Sequence, residues 1–123
     1  MYRLAITRDF IARHYLIGGD WGAENVKHSH HYKVQVLLAG AALDRHGYLV
    51  DIVDLEDALA ETVARFSEHT LNDLAPFAGL NPSLERFAKV FHEDLHARLA
   101  LKDVSIAVTL WENERNWAAY GPA

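Results

Sequence analysis

His28 and His30 stand two residues apart in Lys27-His28-Ser29-His30-His31-Tyr32. The segment runs directly into Tyr32-Lys33-Val34-Gln35-Val36, which alternates as a strand does. In a strand, side chains two apart project from one face about 6.6 Å apart, so both imidazoles point the same way. His14 closes an earlier alternating stretch in which Phe10, Ala12 and His14 also share a face. Two such strands side by side could bring three imidazoles to one point. Three neutral nitrogens with an open fourth position form the ligand set of a catalytic zinc site, not of a closed structural one. Taken alone, a His-x-His on a strand is better read as a solvated surface pair. The third histidine, at the end of a matching strand, moves the balance towards metal.

A second pattern competes. His92-Glu93-Asp94-Leu95-His96 fits the helical zinc motif H-E-x-x-H, in which two histidines four apart share a face and the glutamate activates water. The pattern is short, acidic helix surfaces produce it by chance, and no histidine follows His96 to serve as a third ligand. A solvated helix face is the stronger reading there. His46 belongs to no constellation and reads as a surface residue. His31, next to the pair but on the opposite face, reads as structural or as a rim residue.

The chain has no cysteine, which removes disulfides, thiolate ligands and a cysteine base together. With 123 residues, 50% of them hydrophobic and 24% charged, it reads as one globular domain over 1–123 with a real core. The net charge of -5, without a basic run, argues against a nucleic-acid partner. Met1 to Asp9 is too charged for a signal peptide core, and no apolar run approaches the ~20 residues that span a bilayer. The expectation is therefore a cytoplasmic protein with no membrane partner.

The elements that must position these residues follow from periodicity. Tyr2 to His14 alternates as a long strand, with Tyr2, Leu4, Ile6, Phe10 and Ala12 on one face, broken by Arg8. Gly18, Gly19 and Gly22 mark a loop that carries Trp21, Glu24 and Lys27 to the histidine pair. A second strand runs from about Lys27 to Ala41, a turn follows at Asp44 to Gly47, and Tyr48 to Val50 forms a short lead-in. From Asp54 to Phe66 the period becomes helical, with Leu55, Leu59, Val63 and Phe66 recurring. Ser67 to Gly79 is a connection. A second helix starts at Asn81-Pro82-Ser83, with Asn81 as cap and Pro82 in the first helical position. Its apolar stripe is Leu84, Phe87, Ala88, Phe91, Leu95 and Leu99. Val104 to Glu112 makes a third strand and Asn116 to Tyr120 a short fourth. The order β-β-α-α-β-β predicts an α+β subunit, an antiparallel four-stranded sheet with two helices on one face. Such a sheet leaves open strand edges.

This order, and the residues on it, resemble the 6-pyruvoyltetrahydropterin synthase / 6-carboxytetrahydropterin synthase family, whose subunit is the tunnelling fold. Phe10-Ile11-Ala12-Arg13-His14 resembles its F-x-A-A-H, whose histidine binds zinc. His28-Ser29-His30-His31-Tyr32 resembles H-G-H-N-Y, with Ser29 for the glycine and His31 for the asparagine. Gly47 to Leu55 resembles G-M-V-x-D-F-x-x-L. Glu68-His69-Thr70-Leu71-Asn72 resembles D-H-x-x-L-N, and Asn81-Pro82-Ser83-Leu84-Glu85 resembles N-P-T-x-E. Leu110-Trp111-Glu112 falls where the family carries a pterin-holding glutamate. Each motif is short; six in order, over nearly the whole chain, are a specific signal.

The resemblance implies a Zn2+ site at His14, His28 and His30. It implies a lyase acting on the side chain of a dihydropterin such as 7,8-dihydroneopterin triphosphate, in a homo-oligomer, a hexamer in similar proteins, with sites at subunit junctions. Glu112, Ser83 and Glu85 fall on substrate-binding positions, although Glu85 also reads as an ordinary first-turn carboxylate and Glu112 as a strand-end glutamate facing water. Arg8, Arg13 and Lys27 are nearby candidates for the triphosphate. Glu24 stands where family members carry their cysteine base, four positions before His28, and Glu68 stands for the relay aspartate. A carboxylate is a weaker base than a thiolate. Branches with a nearby glutamate are associated with cleavage to 6-hydroxymethyl-dihydropterin, a retro-aldol reaction that starts from a hydroxyl proton. His69 would be the partner acid, with Glu68 fixing its tautomer. The alternatives are the 6-carboxytetrahydropterin synthase reaction of the queuosine route, a catalytically silent zinc- and pterin-binding homologue, and a histidine-rich metal carrier without pterin affinity.

Overall fold

The computed structural model describes residues 1–122. β1 spans Tyr2–His14 and β2 spans His28–Gly40. α1 spans Ile52–Phe66, α2 spans Leu84–Ala97, β3 spans Val104–Trp111 and β4 spans Trp117–Tyr120. The four strands form one antiparallel sheet in the order β1-β2-β3-β4. Both helices pack on one face, as the order of elements predicts.

Alternation decides which face. In β2, Tyr32, Val34, Val36 and Leu38 are buried, and their register partners in β1 and β3 carry Phe10, Val108 and Leu110 on the same side. The helices add Leu55, Leu59 and Phe66 from α1 and Phe87, Phe91 and Leu95 from α2. Phe87 is the hub of this core, within ring contact of Phe10, Tyr32, Phe66, Phe77 and Phe91. Truncating such a fully buried ring costs about 3–5 kcal/mol.

Two helix starts differ from the periodicity. α1 begins two residues before Asp54 because Asp51 caps it, its carboxylate accepting from the Val53 N–H at 2.9 Å. Ile52 and Val53 are exposed, so the apolar stripe starts a turn later than the helix. α2 is capped by Ser83, whose hydroxyl accepts from the Arg86 N–H at 3.1 Å. Asn81 is not the cap, because its amide is bonded elsewhere. Tyr48 to Val50 forms no strand. The connection after α1 contains short 3-10 turns at Leu71–Asp73 and Ala75–Phe77.

At the histidine end, β1's outer edge is partly covered. The Glu68 N–H donates to the Ile11 carbonyl at 2.6 Å, and the Arg13 N–H donates to the His69 carbonyl at 2.9 Å. Gly121 follows β4, and its φ of +122° and position against the Ile106 carbonyl leave no room for a Cβ. No helix among the described residues is long and apolar enough to cross a membrane.

Candidate metal centre

His14 lies directly opposite His28 in the β1–β2 register, and His30 lies opposite Ala12, one step further along. Directly paired residues share a face, so all three imidazoles project to the side where the core ends. Their ring centroids form a triangle with sides of 4.6, 4.8 and 5.0 Å. Below them Tyr32 stacks on Phe10 and meets Phe87 edge-on, which fixes the floor of the site. Burial changes sharply here: His14 is 5% exposed, whereas His28 and His30 are half-buried.

Glu24 arrives from the loop. It sits on a short 3-10 turn, Gly22–Asn25, and one ligand atom from each of His14, Glu24, His28 and His30 lies within 4.8 Å of the others. Among the described residues this is the group able to hold a metal ion.

Ring chemistry supports that reading. The His28 Nδ1 donates to the Val26 carbonyl at 2.8 Å, the backbone contact that orients a metal-binding imidazole. The neutral ring then offers Nε2 as a lone pair. That nitrogen is buried without a hydrogen-bond partner, although the Glu24 Oε2 is only 2.8 Å away. The carboxylate is close but poorly aligned, so two electron-rich atoms face each other, an arrangement that a cation between them would relieve. The His14 pKa is lowered to about 4, first by burial and then by repulsion from His30 and His28, so the ring is neutral and free to bind metal near neutrality. The donors fit Zn2+.

The loop is held by asparagines that the sequence reading did not assign to the site. Asn72 Oδ1 accepts from the Tyr15 N–H at 3.0 Å and its Nδ2 donates to the Tyr15 carbonyl at 2.9 Å. Asn81 does the same to Ile17, at 2.7 and 3.1 Å. Between them, the Leu16 N–H donates to the Glu24 carbonyl at 2.8 Å. Asn25 completes the hold, donating to the Leu16 and Gly19 carbonyls and accepting from the Trp21 N–H. The one available signal was that Asn72 and Asn81 end or open two of the quoted motifs.

Other candidate residues divide. Ser83 caps α2 beside Pro82, whose backbone lies close to His14, so the start of α2 adjoins the histidines. Glu85 is exposed in that helix's first turn. Glu112 follows the last residue of β3 and acts on Tyr32. Burial chiefly, with Glu112 and Glu24 adding, raises the Tyr32 pKa far above its ordinary value and keeps the hydroxyl protonated. That hydroxyl lies 3.3 Å from the His14 Nδ1.

The pairing of Glu68 with His69 does not form. The Glu68 carboxylate is held by Arg13 at 2.8 Å, while the His69 Nδ1 donates to the Ser67 carbonyl at 2.9 Å. Glu68 has a left-handed backbone, φ 63°, and Arg13 also donates to its carbonyl. Arg13 is therefore committed to an ion pair. His31 is exposed, 3.6 Å from Asp9, as expected for the opposite face. His92 is tied through Nε2 to the Ile106 carbonyl, and His92, Glu93 and His96 do not gather as a metal-ligating group among the described residues.

Two surface hollows of about 500 Å³ lie away from His14, His28 and His30. One is between the 49–51 segment and the end of α2; the other is on the opposite sheet face around His31, Lys33 and Trp111.

The model of the family described as 6-pyruvoyl tetrahydropterin synthase matches residues 3–123. Among solved structures, the Caenorhabditis elegans 6-pyruvoyl tetrahydropterin synthase superposes with a TM-score of 0.87 at 19% identity, over 99% of this chain and 96% of that one. A Plasmodium vivax 6-pyruvoyltetrahydropterin synthase, with its catalytic glutamate replaced by alanine, gives 0.82 at 15%, over 98% and 97%. An uncharacterised Wolinella succinogenes protein gives 0.77 at 14%, over 99% and 98%. No curated protein matches the sequence. At these identities the structures establish the tunnelling fold, and the family model extends the likeness to descent. The chain belongs to the 6-pyruvoyl tetrahydropterin synthase family.

Proposed function

We propose that this protein is a zinc-dependent lyase acting on the side chain of 7,8-dihydroneopterin triphosphate or a close relative, with 6-hydroxymethyl-dihydropterin as its product. Family membership supports a tetrahydropterin synthase-like enzyme. The observation that carries the finer reading is Glu24, a carboxylate within 4.8 Å of three convergent imidazole donors in a chain without cysteine. A Plasmodium vivax member whose catalytic residue is a glutamate supports the same choice.

His14, His28 and His30 would hold a zinc ion, which would supply Lewis acidity to the side-chain hydroxyls. Glu24 takes the proton from the hydroxyl of the second side-chain carbon. That carbon becomes a carbonyl as its bond to the first side-chain carbon breaks. The released electron pair is delocalised into the pterin ring, and His69, oriented by the Ser67 carbonyl, returns a proton to the first carbon. Glu68 enters this reading as a positioning residue, holding the segment that carries His69 through Arg13. Glu112 accepts from the pterin amino and ring N–H groups, and Ser83 and Glu85 border the ring from α2.

The remaining terms belong to the same reading: one pterin-synthase-like domain over 1–123, in the cytoplasm, with no nucleic-acid or membrane partner. His14, His28 and His30 lie outside both surface hollows, and most of the outer sheet edges have no partner among the described residues. A homo-oligomer, a hexamer by resemblance, would enclose the substrate at subunit junctions.

Incubating zinc-loaded protein with 7,8-dihydroneopterin triphosphate and identifying products by mass spectrometry tests the proposal. Release of 6-hydroxymethyl-dihydropterin, abolished in Glu24→Gln assayed at saturating zinc, is the expected result. Triphosphate elimination alone would restrict Glu24 to the role of a cysteine substitute. Tight pterin binding without turnover would establish a silent homologue instead.

A further inference from the structure

We propose that the Glu24 carboxylate is itself the fourth ligand of the ion in the substrate-free protein, and that a substrate hydroxyl must displace it before it acts as a base. The inference rests on the assignment of His14, His28 and His30 as the zinc site.

Four donors are already gathered, one from each of these histidines and one from Glu24, all within 4.8 Å of one another. Ligand atoms around a tetrahedral zinc, with bonds of 2.0–2.2 Å, stand about 3.3–3.5 Å apart. Small side-chain movements therefore bring this set to one ion. A carboxylate placed only as a base would need hydrogen-bond alignment towards a neighbouring donor. The Glu24 Oε2 instead sits 2.8 Å from the His28 Nε2, off the line of any hydrogen bond, against a nitrogen whose ring partner already donates to Val26. Two lone-pair donors converge in this way when both are aimed at a cation. The carboxylate also supplies the only negative charge in the set, offsetting half the charge of a divalent ion among neutral imidazoles.

Exposure identifies which ligand leaves. His14 is 5% exposed, whereas the Glu24 side chain is 53% exposed. Its backbone is fixed through Leu16, so the side chain can rotate outwards without moving the turn. An entering hydroxyl contributes the replacement lone pair. Its O–H bond breaks, and the proton forms a new O–H bond on the released carboxylate. No oxidant, reductant or further reactant is required. Substrate entry and activation of the base become one event, and in the absence of pterin the ion presents no open position to water.

Cobalt(II) replaces zinc as a visible probe of the shell. Apo wild-type protein and Glu24→Gln, each shown to be folded by circular dichroism, are titrated with cobalt(II). Affinity is measured against a chromophoric chelator, and the ligand-field spectrum is recorded before and after adding 7,8-dihydroneopterin. The expected result is a four-coordinate wild-type spectrum that changes on pterin addition, with a different resting spectrum in Glu24→Gln. Its affinity should be weaker by about tenfold or more, since even outer-shell losses cost 10–100-fold. Equal affinities, or the same resting spectrum in both proteins, would overturn the fourth-ligand assignment while leaving the three-histidine centre standing. No cobalt binding by either protein would remove that centre as well. If the variant does not fold, the infrared carboxylate stretch of the wild type decides. A shift on adding zinc supports ligation, and its absence rejects it.

Discussion

Asn81 grips the Ile17 peptide at both ends, its Oδ1 accepting from the N–H at 2.7 Å and its Nδ2 donating to the carbonyl at 3.1 Å. The side chain thus stands in for a neighbouring strand, as Asn72 does at Tyr15, just beyond the end of β1. The turn carrying Glu24 hangs on Leu16 between these two clamps. In Asn81→Ala, part-buried Ile17 groups lose their partners, at a cost of about 1–3 kcal/mol. We expect a lower melting temperature and a lower kcat, with zinc content unchanged because β1 and β2 alone place the histidines. Turnover equal to wild type, or loss of zinc in step with activity, would contradict this chain of support.

Glu68 and His69 are adjacent in sequence yet serve different partners. The Glu68 carboxylate is 63% exposed in its pair with Arg13, so the pair contributes no more than about 1 kcal/mol. The left-handed φ of 63° costs about as much for a side chain with a Cβ. Glu68→Gly should therefore leave stability nearly unchanged, as lost pairing and relieved strain offset each other. Its activity-versus-pH profile should keep the wild-type shape, because Ser67 and not Glu68 holds the His69 ring. Chemical denaturation and a pH profile of turnover check the two halves. A displaced profile would restore the relay.

What could be read from the residues follows physical range. The fold was legible because alternation in β1 and β2 and the Leu/Phe stripes of the helices are local, and burial obeys them. The convergence of the imidazoles was legible for the same reason: strand period fixes the face, and only the register had to be supplied. Asn81 was misassigned because Asn-Pro-Ser offers two acceptable caps, and the bond that decides between them spans 64 residues to Ile17. The first turn of α1 was missed because Ile52 and Val53 face solvent. Glu68 and His69 take separate partners, the Glu68 carboxylate bonding to Arg13 from a left-handed backbone. Spacing along the chain carries none of these contacts.

Asp94 joins the two helices, bridging Arg65 of α1 and Arg98 at the end of α2, and only 9% of its side chain is exposed. Burial opposes its ionisation, but hydrogen bonds from Arg98 and Arg65 outweigh this and hold its pKa below the ordinary 3.8. A depressed folded-state pKa contributes stability that is fully present above the unfolded value and is lost as pH falls through the folded one. Asp94→Asn should thus melt lower than wild type at pH 7, by an amount equivalent to about 1–3 kcal/mol. The gap should narrow below pH 4. Melting curves from pH 7 to pH 2 show whether the two lines converge; parallel lines would mean that the carboxylate contributes by packing alone.

The three imidazoles also make a thermodynamic claim about the fold. A site formed by two paired strands exists in the native chain and is scattered in the unfolded one, so zinc should bind the native state selectively. At free zinc 100-fold above Kd, such binding adds about 2.7 kcal/mol. For a chain of 123 residues this corresponds to a rise of about 10 °C in melting temperature. His30→Ala removes one donor from the half-buried rim while leaving Tyr32, Phe10 and Phe87 in place. Its metal-free melting temperature should stay within a few degrees of wild type, and the zinc-dependent rise should disappear. Scanning calorimetry of both proteins with chelator and with zinc gives the four values needed. A rise of equal size in His30→Ala would place the ion elsewhere, whereas a variant that melts early in both conditions would make His30 part of the packing and not of the centre.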